Sequence, residues 1–168
     1  MDDVDPTRID IEIDPTARRM KGIAYHGHTP FDVPIISHIQ GNLWQGGCET
    51  GLVLPENIKR VLSLYRWEKY IVNHELERFV EIEMYDSTEQ GFDQVESLAN
   101  MVAVWMYEAP TLVHCQAGLN RSSLVATRAL MIYNDWDADT AIKTIRESRS
   151  PACLCNPSFE EHLRSLDK

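Results

Sequence analysis

The chain has 168 residues, 43% of them apolar and 25% charged, with a formal net charge of −10. That length and balance suit one globular domain with a core of ordinary size, and the excess of acid argues against nonspecific binding to nucleic acid or to anionic membranes, which calls for a basic face. No apolar run approaches the ~20 residues that span a bilayer, and Met1-Asp-Asp-Val-Asp5 lacks the basic and apolar regions of a signal peptide, so the cytoplasm is the expected compartment.

Half of the net charge lies at the N-terminus, where Asp2, Asp3, Asp5, Asp10, Glu12 and Asp14 stand against Arg8. Residues 1–30 read as an acidic N-terminal segment, either disordered or carrying an edge strand in the alternation Ile9 to Ile13. Residues 31–168 read as the folded domain. His26 and His28 invite a metal reading, but without a second ligand pair the stretch Tyr25 to Pro30 reads as a glycine-bearing loop. Ile35 to Gly47 reads as two short strands around a Gly41-Asn42 turn, Leu54 to Ile58 as a helical turn begun by Pro55, and Arg60 to Leu64 as a buried strand. Tyr65 to Tyr70 follows that strand. It is expected either to line the ligand edge of a sheet through Arg66, Trp67 or Lys69, or to form an amphipathic helix whose rings cover the core. Arg78 to Asp86 alternates as a strand, and Val95, Leu98, Ala99 and Val102 recur with helical spacing, predicting a helix over Asp93 to Tyr107. Late in the chain, Ala138, Ala141, Ile142 and Ile145 predict a helix begun by Asp137 or Asp139. Asn156-Pro157 caps a last helix with Phe159, Leu163 and Leu166 on its apolar side.

The densest chemistry lies between Thr111 and Ser123, where the apolar strand Thr111 to Val113 runs through His114 and Cys115 into a buried helix from about Leu124 to Tyr133. A tight loop between strand and helix is an anion site, because its backbone N–H groups and the positive end of the helix converge there. Gly118 lets the backbone curl, and Arg121 supplies a planar fork for two phosphate oxygens. A thiol in that field is expected to ionise readily and to act as a nucleophile. The four cysteines, Cys48, Cys115, Cys153 and Cys155, are expected to be reduced, and a redox role for the other three toward Cys115 rests on thiol chemistry alone.

His114-Cys115-x5-Arg121-Ser122, with Gly118 between, resembles the signature of the cysteine-dependent protein tyrosine phosphatases. Leu43, Trp44 and Gly46 on an early strand, and the asparagine and phenylalanine of the last helix, are similar to the dual-specificity branch. The resemblance runs from about Ile35 to Leu166. It implies a single α/β domain with a central, mostly parallel sheet of four to five strands flanked by helices, and the Cys-x5-Arg phosphate loop between the last core strand and a buried helix. It also implies the residue roles. Cys115 attacks phosphorus, while Arg121 and the loop of Gln116, Ala117, Gly118, Leu119 and Asn120 hold the phosphate oxygens. Asp86, 29 residues before the cysteine, stands where the family keeps its general acid, with Glu89 and Asp93 as fallbacks. Ser122 donates to the cysteine sulfur, and His114 and Asn156 support the loop. No metal or cofactor is implied. The substrate implied is a phosphorylated protein or peptide, phosphotyrosine first, with phosphoserine and phosphothreonine as further candidates. Two other functions stay open: an RNA 5′-triphosphatase, since Asn120-Arg121-Ser122 resembles the Asn-Arg-Thr of those enzymes, and a catalytically silent phosphate-binding protein. Ser123 departs from the glycine, alanine or proline common at that position in the family.

Overall fold

The computed structural model describes residues 14–24, 28–84 and 92–167. In chain order these form strands β1 (Arg19–Ile23), β2 (Pro30–Pro34), β3 (Ile36–Gln40), β4 (Leu43–Gly46), β5 (Arg60–Ser63) and β6 (Arg78–Glu81), helix α1 (Phe92–Glu108), strand β7 (Thr111–His114), and helices α2 (Arg121–Asn134), α3 (Ala138–Ser148) and α4 (Pro157–Ser165). Five strands make the central sheet in the order β3-β4-β7-β5-β6. Only the β3–β4 pair is antiparallel; β4, β7, β5 and β6 run parallel to their neighbours.

Because successive side chains of a strand face opposite sides, the apolar runs of β5 and β7 serve two cores at once. Leu62 and Val113 join a large cluster to which all four helices contribute, whereas Val61 and Leu112 join a smaller one with Ile35, Ile36, Leu52, Leu54 and Ile58. The helices therefore cover one face, and the other is closed mainly by chain that forms neither helix nor named strand. The segment from Leu54 to Ile58 makes a single turn, Ile58 N–H donating to the Pro55 carbonyl at 3.0 Å. Tyr65 to Tyr70 is a run of bends and not a helix.

Helix starts follow local chemistry. The Asp137 carboxylate accepts the Thr140 N–H at 2.8 Å to cap α3, and Asn156 accepts the Ser158 N–H at 3.1 Å to cap α4 ahead of Pro157. The boundary read near residue 30 falls inside a hairpin. β1 pairs antiparallel with β2, Arg19 opposite Pro34 through Ile23 opposite Pro30, and forms a separate two-stranded sheet. The proposed edge strand Ile9 to Ile13 lies outside the described residues.

Candidate active site

The loop from His114 to Arg121 stands at the middle of the sheet's carboxyl edge, since β7 is the central strand and both Gly46 of β4 and Ser63 of β5 lie in register with His114. In parallel sheets ligands gather at that edge. Each carbonyl along the loop has a partner in the protein. Leu64 N–H reaches His114 O (2.8 Å), Cys48 N–H reaches Gln116 O (2.9 Å), Leu154 N–H reaches Leu119 O (2.8 Å) and Leu124 N–H reaches Asn120 O (2.8 Å). The Arg149 guanidinium donates to Ala117 O (3.0 Å) and to Gly118 O (2.8 Å), and His114 Nδ1 lies 3.3 Å from Cys115 O. A planar trans peptide points its N–H opposite the preceding carbonyl. Cys115 N–H is held in the sheet by Gly46 O (3.1 Å), but with the carbonyls from Cys115 to Asn120 turned into the protein, the N–H groups that follow them turn toward the centre of the loop. Gly118 sits at φ +72°, and a Cβ there would lie 2.4 Å from the Gly46 carbonyl carbon, so both the curl and the close approach require glycine.

Cys115 is buried at the base of this cup. Its Sγ accepts the Gly118 N–H at 3.2 Å and lies 3.4 Å from Ser122 Oγ. Arg121 opens α2, half-buried, with one guanidinium nitrogen 3.2 Å from the Met84 carbonyl and its carbon 5.5 Å above the Tyr65 ring. Cys115, Arg121, Ser122 and residues 116–120 are thus brought together. Gln116 is exposed at the mouth, while Gly118, Leu119 and Asn120 are buried. His114 is buried beneath, edge-on to Tyr70 at 5.3 Å between ring centres. Burial pushes its imidazole down to about 4, the contact with the Cys115 carbonyl opposing in part, so it is neutral at neutral pH. The Asn120 side chain accepts the Asn156 N–H at 2.8 Å, which ties the start of α2 to the cap of α4. Asp86 and Glu89 lie outside the described residues, and Asp93 stands exposed in the first turn of α1. Of the aromatic stretch after β5, Tyr65 and Tyr70 face the loop region; Trp67 is 66% exposed, and Arg66 and Lys69 pair with Glu83 (3.5 Å) and Glu81 (3.6 Å).

Two supporting residues escaped the sequence reading. Arg149, a buried guanidinium, holds the Ala117 and Gly118 carbonyls together with Ser37 Oγ (2.9 Å) and Pro34 O (2.8 Å). Gln45, wholly buried on β4, brings its amide nitrogen to Gly118 O (3.1 Å), Ser122 Oγ (3.0 Å) and Ser123 Oγ (2.7 Å). The hydroxyl of Ser123 thus has a polar partner directly across the sheet-to-helix interface. The available signal was the amide of Gln45 between Trp44 and Gly46 on a strand; Arg149, set between Ser148 and Ser150 after α3, stands in a polar stretch and gave none. The four cysteines are free. Burial, with Glu68 and Glu49 nearby, pushes Cys48 up to about 12, and burial also raises Cys153, so both remain thiols.

A cleft of about 210 Å³ opens over Cys115 and is lined by residues 115–117, 119–121 and Cys155, and on its far side by Ile23, Ala24 and Phe31 of the hairpin. Residues 54–168 match the family model for the dual specificity phosphatase catalytic domain. The chain belongs to the dual specificity phosphatase family. It carries the catalytic domain of a cysteine-dependent phosphatase. Among curated relatives, it is 27% identical over 143 residues to the tyrosine-protein phosphatase yvh1 of Schizosaccharomyces pombe, covering 82% of this chain and 43% of that protein. The chain therefore spans less than half of that relative's length. Among solved structures, it resembles a mouse putative dual specificity phosphatase complexed with zinc tungstate (TM-score 0.65, 21% identity, 79% of this chain and 86% of that one). It also resembles PTPMT1 in complex with PI(5)P (TM-score 0.63, 18% identity, 78% and 93%). The family's fold and the dual-specificity resemblance of the sequence agree. No helix among the described residues is long and apolar enough to cross a membrane.

Proposed function

We propose that this protein hydrolyses phosphomonoesters on proteins, phosphotyrosine first and phosphoserine or phosphothreonine as further substrates, through a cysteinyl-phosphate intermediate. The observation that carries this reading is the outward turn of every carbonyl from Cys115 to Asn120, which leaves the amides that follow them to face a bound phosphate around the Cys115 sulfur. Cys115 attacks phosphorus in line with the leaving oxygen, and the P–O bond to the substrate breaks as the S–P bond forms. Arg121 and the loop amides hold the equatorial oxygens, where charge spreads in the transition state. Asp86 donates a proton to the leaving oxygen. As a carboxylate it then takes one from the water that cleaves the S–P bond, releasing inorganic phosphate. Ser122 Oγ, 3.4 Å from the sulfur, donates to the thiolate as it leaves. Buried neutral His114 and Asn156, the cap of α4, hold the loop in place and exchange no proton with substrate.

The uncharged side chains at Gln116, Ala117, Leu119 and Asn120 favour a protein phosphoester over a highly charged inositol phosphate. We place the protein in the cytoplasm, a reducing compartment in which a catalytic thiol stays free. The deciding experiment is the pH–rate profile for hydrolysis of an aryl phosphate by the reduced protein, beside Cys115→Ser and Asp86→Asn. A bell-shaped profile that the first substitution abolishes, and whose basic limb the second removes with a loss of about 10²-fold or more, supports the mechanism. Absence of turnover by the unaltered protein would overturn it and point to phosphate capture or to a triphosphate substrate.

A further inference from the structure

The cleft over Cys115 has a second wall that the phosphate chemistry does not use. It is built from the hairpin β1–β2, which precedes residue 54, where the family match begins. Register places Gly22 opposite Phe31, and a Cβ on Gly22 would lie 3.1 Å from the tip of the Phe31 ring. The ring therefore lies across the bare backbone of β1, a position that any side chain on residue 22 would contest. Beyond it Ile23, 68% exposed, leaves an aliphatic side chain at the rim of the cleft. The base of the hairpin is fixed to the loop. Arg149 joins the Pro34 carbonyl (2.8 Å) to those of Ala117 (3.0 Å) and Gly118 (2.8 Å), and Ile35 N–H donates to Arg18 O (2.8 Å). Phe31, which also packs against the large core cluster, is thus held beside the cleft, with Ile23 next to it at its rim.

We infer that this hairpin selects the group esterified to the phosphate: Phe31 and Ile23 form an apolar wall against which the ring of an aryl phosphate, such as a phosphotyrosine side chain, packs while its phosphate sits in the loop. The inference rests on the phosphatase reading for its substrate class, yet its contacts are tested by binding alone. An aromatic ring gains from edge or offset contact with Phe31 and from shedding water against Ile23; a short alkyl phosphate reaches neither.

The test measures binding of phenyl phosphate, ethyl phosphate and inorganic phosphate to the full chain carrying Cys115→Ser, by calorimetry, alone and combined with Phe31→Ala, Ile23→Ser or Gly22→Val. Kinetics with the same esters on proteins retaining Cys115 run alongside. Ile23→Ser alters an exposed residue, so it keeps the test valid if Phe31→Ala does not fold, and Gly22→Val displaces the ring without removing it. The expected result is a preference for phenyl over ethyl phosphate that falls by about tenfold in Phe31→Ala and in the same direction in the other two, with phenyl phosphate losing more than inorganic phosphate. Equal losses for all three ligands, or a preference that persists through every variant, would overturn the inference. Were the unaltered protein to turn over neither ester, the phosphatase reading would fall, and the binding preference would still decide the wall.

Discussion

The two sides of the Cys115 cleft are built by different means. The phosphate loop is backbone chemistry: its carbonyls are tied into the protein, Gly118 is packed against β4, and Gln45 and Arg149 brace it from below. The hairpin is side-chain surface. It lies outside the five-stranded sheet, is anchored by the buried Ala24 and Val33, and leaves Ile23 in solvent. On the proposed reading, the groups that meet a tetrahedral anion are braced backbone amides, whereas those that meet the rest of a substrate are side chains on a peripheral element.

Substitutions in the loop should act on every substrate, and the largest effect is expected at its centre. Cys115→Ser should lower kcat for an aryl phosphate by at least about 10³-fold, and Arg121→Lys, which keeps the charge and loses the fork, by about 10²-fold. Steady-state assays on esters of different size check both, and a loss confined to one ester would break the contrast between loop and hairpin. Arg149 sharpens the contrast because it binds both sides. Arg149→Met should cost about 3 kcal/mol in urea denaturation, since several buried acceptors lose their donor at once, and should weaken inorganic phosphate binding in parallel. A destabilised protein with normal phosphate affinity would mean that the guanidinium holds the fold but not the loop.

His114 gives a pH test of the loop's base. The unfolded chain protonates this histidine near 6.5 and the folded chain only at about 4, so between those values the unfolded state binds more protons and stability rises with pH. Acidification through that window should remove roughly 3 kcal/mol of stability from the native sequence, and His114→Asn should flatten that limb of the stability curve. Denaturation midpoints at pH 7 and pH 4 check it, and identical pH dependence in the two proteins would contradict the burial argument. The smallest effect is expected at Gln45. Gln45→Leu should cost about 1–2 kcal/mol because Ser122, Ser123 and the Gly118 carbonyl lose an amide donor. It should slow breakdown of the phosphoenzyme more than its formation, measured as a larger pre-steady-state burst, because Ser122 is the residue beside the sulfur. A change in neither rate would reduce Gln45 to a packing role.

Much of this architecture was legible in the one-dimensional pattern. The period of Val95, Leu98, Ala99 and Val102 placed α1, Asn156-Pro157 placed the start of α4, and Thr111 to Arg121 carried its own strand, loop and helix. Tyr65 to Tyr70 was less readable, because an aromatic and charged run suits a helix, a bend or a strand end equally until its neighbours are known. Hairpin β1–β2 was hidden for another reason. Alternation in Arg19 to Ile23 is weak, with Gly22 where an apolar residue would signal a buried face, and the apolar mass that covers the gap comes from Phe31 across the turn.

The sequence by itself determined the place and form of the loop. A cysteine, a glycine and an arginine at that spacing, between an apolar strand and an apolar helix, have few structures open to them, because each residue type answers a local demand of charge, curl or nucleophilicity. Only the tertiary structure decided which residues brace that loop and which close the cleft over it. Arg149 meets Ala117 and Gly118 from 31 residues away or more, Gln45 meets Ser122 across 77, and Phe31 reaches the cleft of Cys115 from the other end of the chain. Such contacts depend on the order in which strands pair and on where the chain crosses the sheet edge, and no short-range pattern in the sequence encodes that.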